Sequence, residues 1–192
     1  MLTHLRPAIV LLCLMTVLTG VIYPLSLTGL LQIAVPRTAN GSLVERDGKV
    51  VGSQLIGQVF TSERYFHGRP SAAGQNGYDA AASSGSNLGP LSRKLVDRVT
   101  SDVAGLKSQG IAIIPADAVT TSASGLDPDI SPAHAAIQIE RVARARGIAG
   151  ERVQAIVSQV TALPDLGVFG EPRVNVLQLN LALDAALAPG AG

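Results

Sequence analysis

Ala8–Leu31 reads AIVLLCLMTVLTGVIYPLSLTGLL and contains no Asp, Glu, Lys, Arg or His. A membrane-spanning helix needs about 20 mostly apolar residues, and this run exceeds that. In hydrocarbon each backbone N–H and C=O must be satisfied within the segment, so a lone run of this kind has to be helical. Pro24 removes one donor and predicts a kink near the far end. Thr16, Thr19 and Gly20 put small or hydroxyl residues on or near one face, as packing faces in membranes often do. A cleaved secretory signal fits poorly, because the apolar core is too long and no A-x-A site follows it. The expected organisation is a tail and transmembrane anchor over residues 1–36, then one soluble α+β domain over residues 37–192.

Removing the anchor leaves roughly 155 residues, one domain's worth and enough to bury a core. Charged residues make up 15% of the chain, below the usual level of about 25%. A net charge of +1 leaves no basic stripe for a nucleic acid. Cys13 is the only cysteine and lies in the apolar run, so no intrachain disulfide is available. His4 and Arg6 precede the run, whereas Arg37, Arg46 and Lys49 follow it. That count leans weakly toward a cytoplasmic C-terminus, but the rule fails for long translocated domains, and charge does not settle the side.

Beyond the anchor, Leu43–Glu45 and Val50–Leu55 flank Asp47-Gly48, a two-residue hairpin signal. Gly52 and Gly57 have the glycine spacing of a phosphate loop, but Gln58 stands where that loop needs Lys, so the motif is rejected as a nucleotide site. Phe60–Pro90 has no regular period and is rich in Gly, Ser, Ala and Asn. A stretch of this length inside a compact domain is functional or disordered, and we expect a partner to order it at least in part. Its Arg64, His67 and Arg69 offer an anion site, set against the commoner solvated loop. Ser84–Asn87 offers turn chemistry or an anion cradle.

Leu91–Lys107 reads as an amphipathic helix with Leu91, Leu95, Val99, Val103 and Leu106 on one stripe, ended by Gly110. Ile111–Ile114 reads as a short buried strand stopped by Pro115. Ser131 and Pro132 are natural Ncap and N1 residues for a helix running to about Arg146 and stopping at Gly147. Asp127, Asp129 and His134 make a weak metal signal, with capping the better reading. Thr120, Ser122 and Ser124 have no assignable His–Asp partner, and G-x-S-x-G is absent, so no hydrolase chemistry is assigned. Another helix is expected from Glu151 to about Leu163, then a turn-rich connector over Pro164–Pro172. Val174–Leu187 alternates like a strand, but its Leu and Ala favour helix and Asn175 can cap it; helix is the choice.

Six motifs in one order resemble the C subunit of the Kdp-type potassium-transporting ATPase of bacteria, over almost the whole chain. They begin with Tyr23-Pro24 at the anchor's end. GSQLIGQVF (Gly52–Phe60) follows, holding Gly57, Gln58 and Phe60, then RYFHGRPSA (Arg64–Ala72) with Arg69, Pro70 and Ser71. SGSNLGP (Ser84–Pro90) supplies Asn87, Gly89 and Pro90. SASGLDPDISPAHAAIQIERVA (Ser122–Ala143) carries Gly125, Leu126, Asp127, Pro128, Ser131, Pro132, Gln138 and Arg141. RVNVLQLNLAL (Arg173–Leu183) closes the series with Asn175 and Asn180. The chain departs from the family pattern at Asp129, where His is expected, and at Ser84, where Gly is usual.

The resemblance implies a non-catalytic accessory subunit of an ATP-driven, high-affinity potassium importer, needed to assemble and stabilise the pump. Its implied partners are a channel-like K⁺-binding subunit, a P-type ATP-hydrolysing subunit and a small single-span subunit, together with membrane lipid. The family's C subunit belongs to the inner membrane, with its soluble domain on the outer side. It has been proposed as a catalytic chaperone raising the ATP affinity of the pump subunit. No catalytic residue is carried over and no bound cofactor is assigned; the resemblance implies access to ATP through the complex. From other classes, a membrane-anchored cell-envelope enzyme and an anchored ligand-binding domain are the alternatives.

Overall fold

The computed structural model describes residues 4–186. The chain divides between Val51 and Gly52 into two compact units.

The first unit is dominated by the apolar helix Leu5–Ala34. Its 30 residues rise about 45 Å, more than the roughly 30 Å of a hydrocarbon core. The helix has three parts: α1 (Leu5–Val17), a π turn (Leu18–Ile22) and α2 (Tyr23–Ala34). The π turn is the local answer to Pro24. The Tyr23 N–H reaches back to the Leu18 carbonyl, five residues away, and Pro24 offers no N–H to the next one. Thr19 hides its hydroxyl by donating to the Met15 carbonyl at 2.7 Å. Val35 leaves helical geometry at φ −142°, as a residue before proline tends to. A single turn, α3 (Pro36–Ala39), follows.

Strands β1 (Leu43–Arg46) and β2 (Lys49–Ser53) pair as a hairpin. Asp47 and Gly48, at φ 52° and 72°, both take the left-handed conformation that a type I′ turn requires.

The second unit is built around α6 (Ile139–Arg146), α7 (Gly150–Val160) and α8 (Val176–Ala186). A two-residue ladder joins β3 (Asp129–Ile130) to β4 (Val174–Asn175), antiparallel, with Ile130 opposite Val174. The core collects Ile130, Ile139, Val142, Val153, Ile156, Val157, Val174, Val176, Leu179 and Leu183, with Phe66 fully buried among them. The architecture is thus α+β, a long apolar helix followed by a soluble domain of helices and small sheets.

Several local expectations change. Ile111–Ile114 is not a strand: Ile113 is 85% exposed and Pro115 stops the run before any partner edge is met. The helix stripe expected from Leu91 becomes α4 (Arg93–Ser108), and it contains no buried residue. Leu91 itself lies outside it, 97% exposed.

The single helix expected from Pro132 to Arg146 is broken into α5 (Pro132–Ala136) and α6. At the break the Gln138 N–H turns to the Ala135 carbonyl, three residues back, which tightens the turn. Gly147 at φ 68° then ends α6 as expected. Helix α7 stops at Val160, because Ala162 pairs with Arg173 instead. Val174–Asn175 is strand and the rest of that segment is helix, with Asn175 accepting from the Gln178 N–H at 3.1 Å. Leu187 lies outside the described residues.

Candidate functional site

Phe60–Pro90 contains one 3₁₀ turn (Ala80–Ala82) and no strand. It is nevertheless held by its own domain, through side chains that do the work of a neighbouring strand. Asn180 on α8 accepts from the Phe66 N–H at 2.8 Å and donates to the Phe66 carbonyl at 3.0 Å. Gln138 accepts from the His67 N–H at 2.8 Å and donates to the His67 carbonyl at 3.0 Å. A side-chain amide has an acceptor oxygen and a donor nitrogen, so it can pair with both the N–H and the C=O of one residue. Both amides are buried, where an unpaired backbone group is costly.

Arg141 extends the clamp by donating to the Glu63 and Tyr65 carbonyls at 2.8 and 3.0 Å, and to Gln138 Oε1 at 2.7 Å. Arg146 donates to the Arg64 carbonyl at 2.7 Å and pairs with Asp184 at 2.9 Å. The Tyr65 hydroxyl meets the same carboxylate at 3.1 Å. The Tyr65 ring lies 5.7 Å from Phe60 and carries the Arg146 guanidinium 5.0 Å from its centroid. Much of the order in this stretch is thus supplied within the chain, beside whatever part a partner adds. These bonds come from Gln138 just before α6, from α6 and from α8.

A second layer ties the same segment to residues 122–132. Arg69 pairs with Asp127 at 2.9 Å. Ser71 donates to the Gly125 carbonyl at 2.6 Å and accepts from the Tyr78 N–H at 2.8 Å. The Tyr78 hydroxyl donates to the Arg69 carbonyl at 2.7 Å, and its pKa is pushed up to about 12 by burial and then by nearby Asp127. The Gly57 N–H donates to the Leu126 carbonyl at 2.8 Å. A side chain at Gly57 would meet the Tyr78 ring at 2.5 Å and the Asp127 carbonyl at 2.6 Å, so only glycine fits. Gln58 lies against Gly52, where a Cβ would stand 2.8 Å from Gln58 Oε1. The spacing that mimics a phosphate loop is thus a backbone approach. The Pro128 carbonyl accepts from the Val176 N–H at 3.0 Å, and Asn175 donates to the Gln54 carbonyl at 3.0 Å.

The acids and histidine that made a weak metal signal are dispersed. Asp127 goes to Arg69, Asp129 to Asn175 at 3.1 Å and Arg173 at 3.5 Å, and His134 to Asp117 at 3.2 Å. Among the described residues no three potential ligands cluster. Burial, assisted by the neighbouring Asp127, raises the Asp129 carboxyl against the Asn175 hydrogen bond.

Ser131 is the Ncap of α5, accepting from the His134 N–H at 3.0 Å, and Pro132 is its first residue. Asp117, which no sequence pattern singles out, accepts from the Ser131 N–H at 2.8 Å and the Ser131 hydroxyl at 2.9 Å. Burial works to raise the Asp117 carboxyl, but those two bonds and His134 outweigh it and hold it below the usual range. Burial lowers the pKa of His134, against the pull of Asp117, so its imidazole is neutral near pH 7.

An open cleft of about 1070 Å³ lies over this clamp, between the end of α4 and α5–α6. Arg69, Arg141 and Arg144 give it cations, Glu63 and Glu140 anions, His67 an imidazole, and Leu106 and Ile113 apolar walls. Burial, with help from Arg141, lowers the His67 pKa, so this wall carries arginine charge rather than imidazolium charge. Of the motif residues, the fold gathers those of Gly52–Ser71, Gly125–Arg141, Asn175 and Asn180. It leaves Asn87, Gly89 and Pro90 exposed before α4, and Tyr23 and Pro24 belong to the apolar helix. Asp117, Arg146 and Asp184 were missed, because no local spacing marks a residue whose partner is far along the chain.

Comparison with known proteins shows which family the chain belongs to. The family model described as K+-transporting ATPase, c chain (KdpC), matches residues 5–185. A potassium-transporting ATPase KdpC subunit of Caulobacter vibrioides strain NA1000 / CB15N is 60% identical over 192 aligned residues, covering 98% of this chain and 96% of the relative. The protein of that name from Gemmatimonas aurantiaca is 56% identical, with 98% and 96% covered. Its counterpart in Rhodopseudomonas palustris strain BisB18 is 54% identical, with 97% and 100% covered. The chain belongs to the KdpC family, the c chain of K+-transporting ATPases.

Proposed function

We propose that this protein is a non-catalytic accessory subunit that assembles and stabilises an ATP-driven potassium importer. The supporting observation is where its motif side chains point. Arg69, Ser71, Gln138, Arg141, Asn175 and Asn180 spend their hydrogen bonds on the domain's own backbone, on Asp127 and on one another. Such a set preserves the shape of a surface, as a scaffold requires. Its relatives are named as subunits of a potassium-transporting ATPase. On this reading the partners are the channel-like K⁺-binding subunit, the P-type ATP-hydrolysing subunit and the small single-span subunit. The apolar helix crosses the inner membrane once and the soluble domain stands outside.

ATP is then separated from the domain by the bilayer. Any rise in the pump's ATP affinity is allosteric: this subunit must bind one state of the pump more tightly than another. The test is extraction of the affinity-tagged chain from its membrane. Co-elution of K⁺-stimulated ATPase activity is expected, with potassium uptake lost on deletion of the chain. Labelling of Leu91→Cys, in a Cys13→Ser background, by a membrane-impermeant thiol reagent on intact spheroplasts is expected on the same reading. Saturable ATP binding by the purified chain alone, with an inaccessible thiol, overturns the outside, allosteric assignment.

A further inference from the structure

The segment expected to be a turn-rich connector between α7 and β4 is a hydrogen-bonded finger. At its base Ala162 and Arg173 exchange N–H···O bonds of 2.8 and 3.0 Å, and near its tip Asp165 and Phe169 exchange two of 2.9 Å. Its large apolar side chains face outward: Leu163 is 73% exposed, Leu166 90%, Val168 75% and Phe169 65%. Leu166 also holds φ at +53°, followed by Gly167 at +77°. A bulky residue rarely adopts that conformation, and Asn or Gly would suit the turn better. The fold therefore accepts both a disfavoured backbone and an unburied leucine at one spot. Strained backbone and a concentrated apolar surface are each marks of a contact site.

We propose that this finger is a docking plug that inserts into an apolar pocket on another subunit of the pump, a pocket rimmed by basic side chains. Charge selects the occupant. Between Arg152 and Arg173 there is no Lys or Arg, while the finger carries Asp165 and Glu171. Helices and loops that enter a bilayer surface use Lys, Arg, Trp or Tyr near the headgroups, and anionic lipid repels carboxylates. A protein pocket with apolar walls and cationic edges matches both the side chains and their charges.

The inference rests on the subunit reading above, and one set of experiments separates the two. The double variant Leu166→Asn, Phe169→Thr is made in the full chain within the whole pump. Retention of the tagged chain with the pump through detergent extraction is expected to fall at least tenfold. The unfolding midpoint of the purified variant should not fall, because Asn accepts a positive φ. Independently, p-benzoylphenylalanine at position 166 in the otherwise native complex is expected to photo-crosslink to one other pump subunit. Unchanged retention of the double variant, or an adduct with lipid alone or none at all, overturns the plug. Failure of the unaltered chain to co-purify overturns the subunit reading and the plug with it.

Discussion

The side-chain amide of Asn180 and the peptide unit of Phe66 form a closed two-bond pair, 2.8 Å from the Phe66 N–H and 3.0 Å to its carbonyl. Asn180 is 2% exposed and Phe66 fully buried. Asn180→Ala therefore strands two buried backbone groups, at about 1–3 kcal/mol each. We expect a loss of roughly 2–5 kcal/mol, read by denaturant unfolding. Proteolysis between Ser62 and Arg69 should become faster. Asn180→Asp retains the acceptor, loses the donor and buries a charge, so it should be no milder. A wild-type cleavage pattern in both variants contradicts the clamp.

A second expectation concerns two glycines. Gly125 has φ +67°, and a Cβ there would stand 2.6 Å from the Ser84 carbonyl and 2.8 Å from the Ala73 backbone nitrogen. Gly110 has φ +85° with nothing within 4 Å. Gly110→Ala should cost about 1 kcal/mol, the conformational penalty alone. Gly125→Ala should cost about 3 kcal/mol or more, because rigid backbone must also move. Equal unfolding midpoints for the two variants would show that the approach of residues 84 and 125 is not essential.

Stability should depend on pH through His134. Its folded-state pKa is lowered from the ordinary histidine value by burial. The unfolded chain thus takes up its proton at a higher pH than the folded one. Above about pH 6.5 both states are neutral at this site and its contribution is fully present. As pH falls through the lowered folded value, stability is lost with a slope of up to about 1.4 kcal/mol per pH unit for this proton. His134→Asn keeps a donor for Asp117 and cannot titrate. It should flatten the profile below about pH 6.5; an unaltered slope assigns the loss to another group.

The apolar helix offers a fourth test. A side chain at Gly20 would meet nothing within 4 Å in the chain itself. Gly20→Leu should leave this protein's own folding intact, yet block close approach of another helix. Reduced survival of the complex in detergent is the expected result, and unchanged survival removes the Thr16–Gly20 face from the contact.

Legibility followed distance along the chain. The Asp47-Gly48 turn, the Ser131 cap, the Gly147 stop and the helical choice after Asn175 are decided within a few residues, and each is seen in the structure. Phe60–Arg69 looked unstructured because its hydrogen-bond partners, Gln138 and Asn180, lie 71 and 114 residues away. Ile111–Ile114 misled for the opposite reason. It has strand composition, but no second edge is there to pair with it. Pro164–Pro172 read as a connector because its prolines and glycines dominate local pattern, while the outward direction of Leu166, Val168 and Phe169 emerges only from the fold. Gln138 was singled out by motif alone, and its use as a clamp explains why a helix breaks there.

The Phe66–Asn180 pair also sets an order of events during synthesis. A ribosome adding about 5–20 residues per second makes Asn180 roughly 6–23 s after Phe66, since 114 residues separate them. Throughout that interval the peptide groups of Phe66 lack their native partner, while the apolar helix has already emerged ahead of them. A nascent chain interrupted before α8 therefore lacks the side chain that closes on Phe66. Synthesis of α8 is what supplies it, so the clamp also discriminates copies that carry α8 from copies that do not.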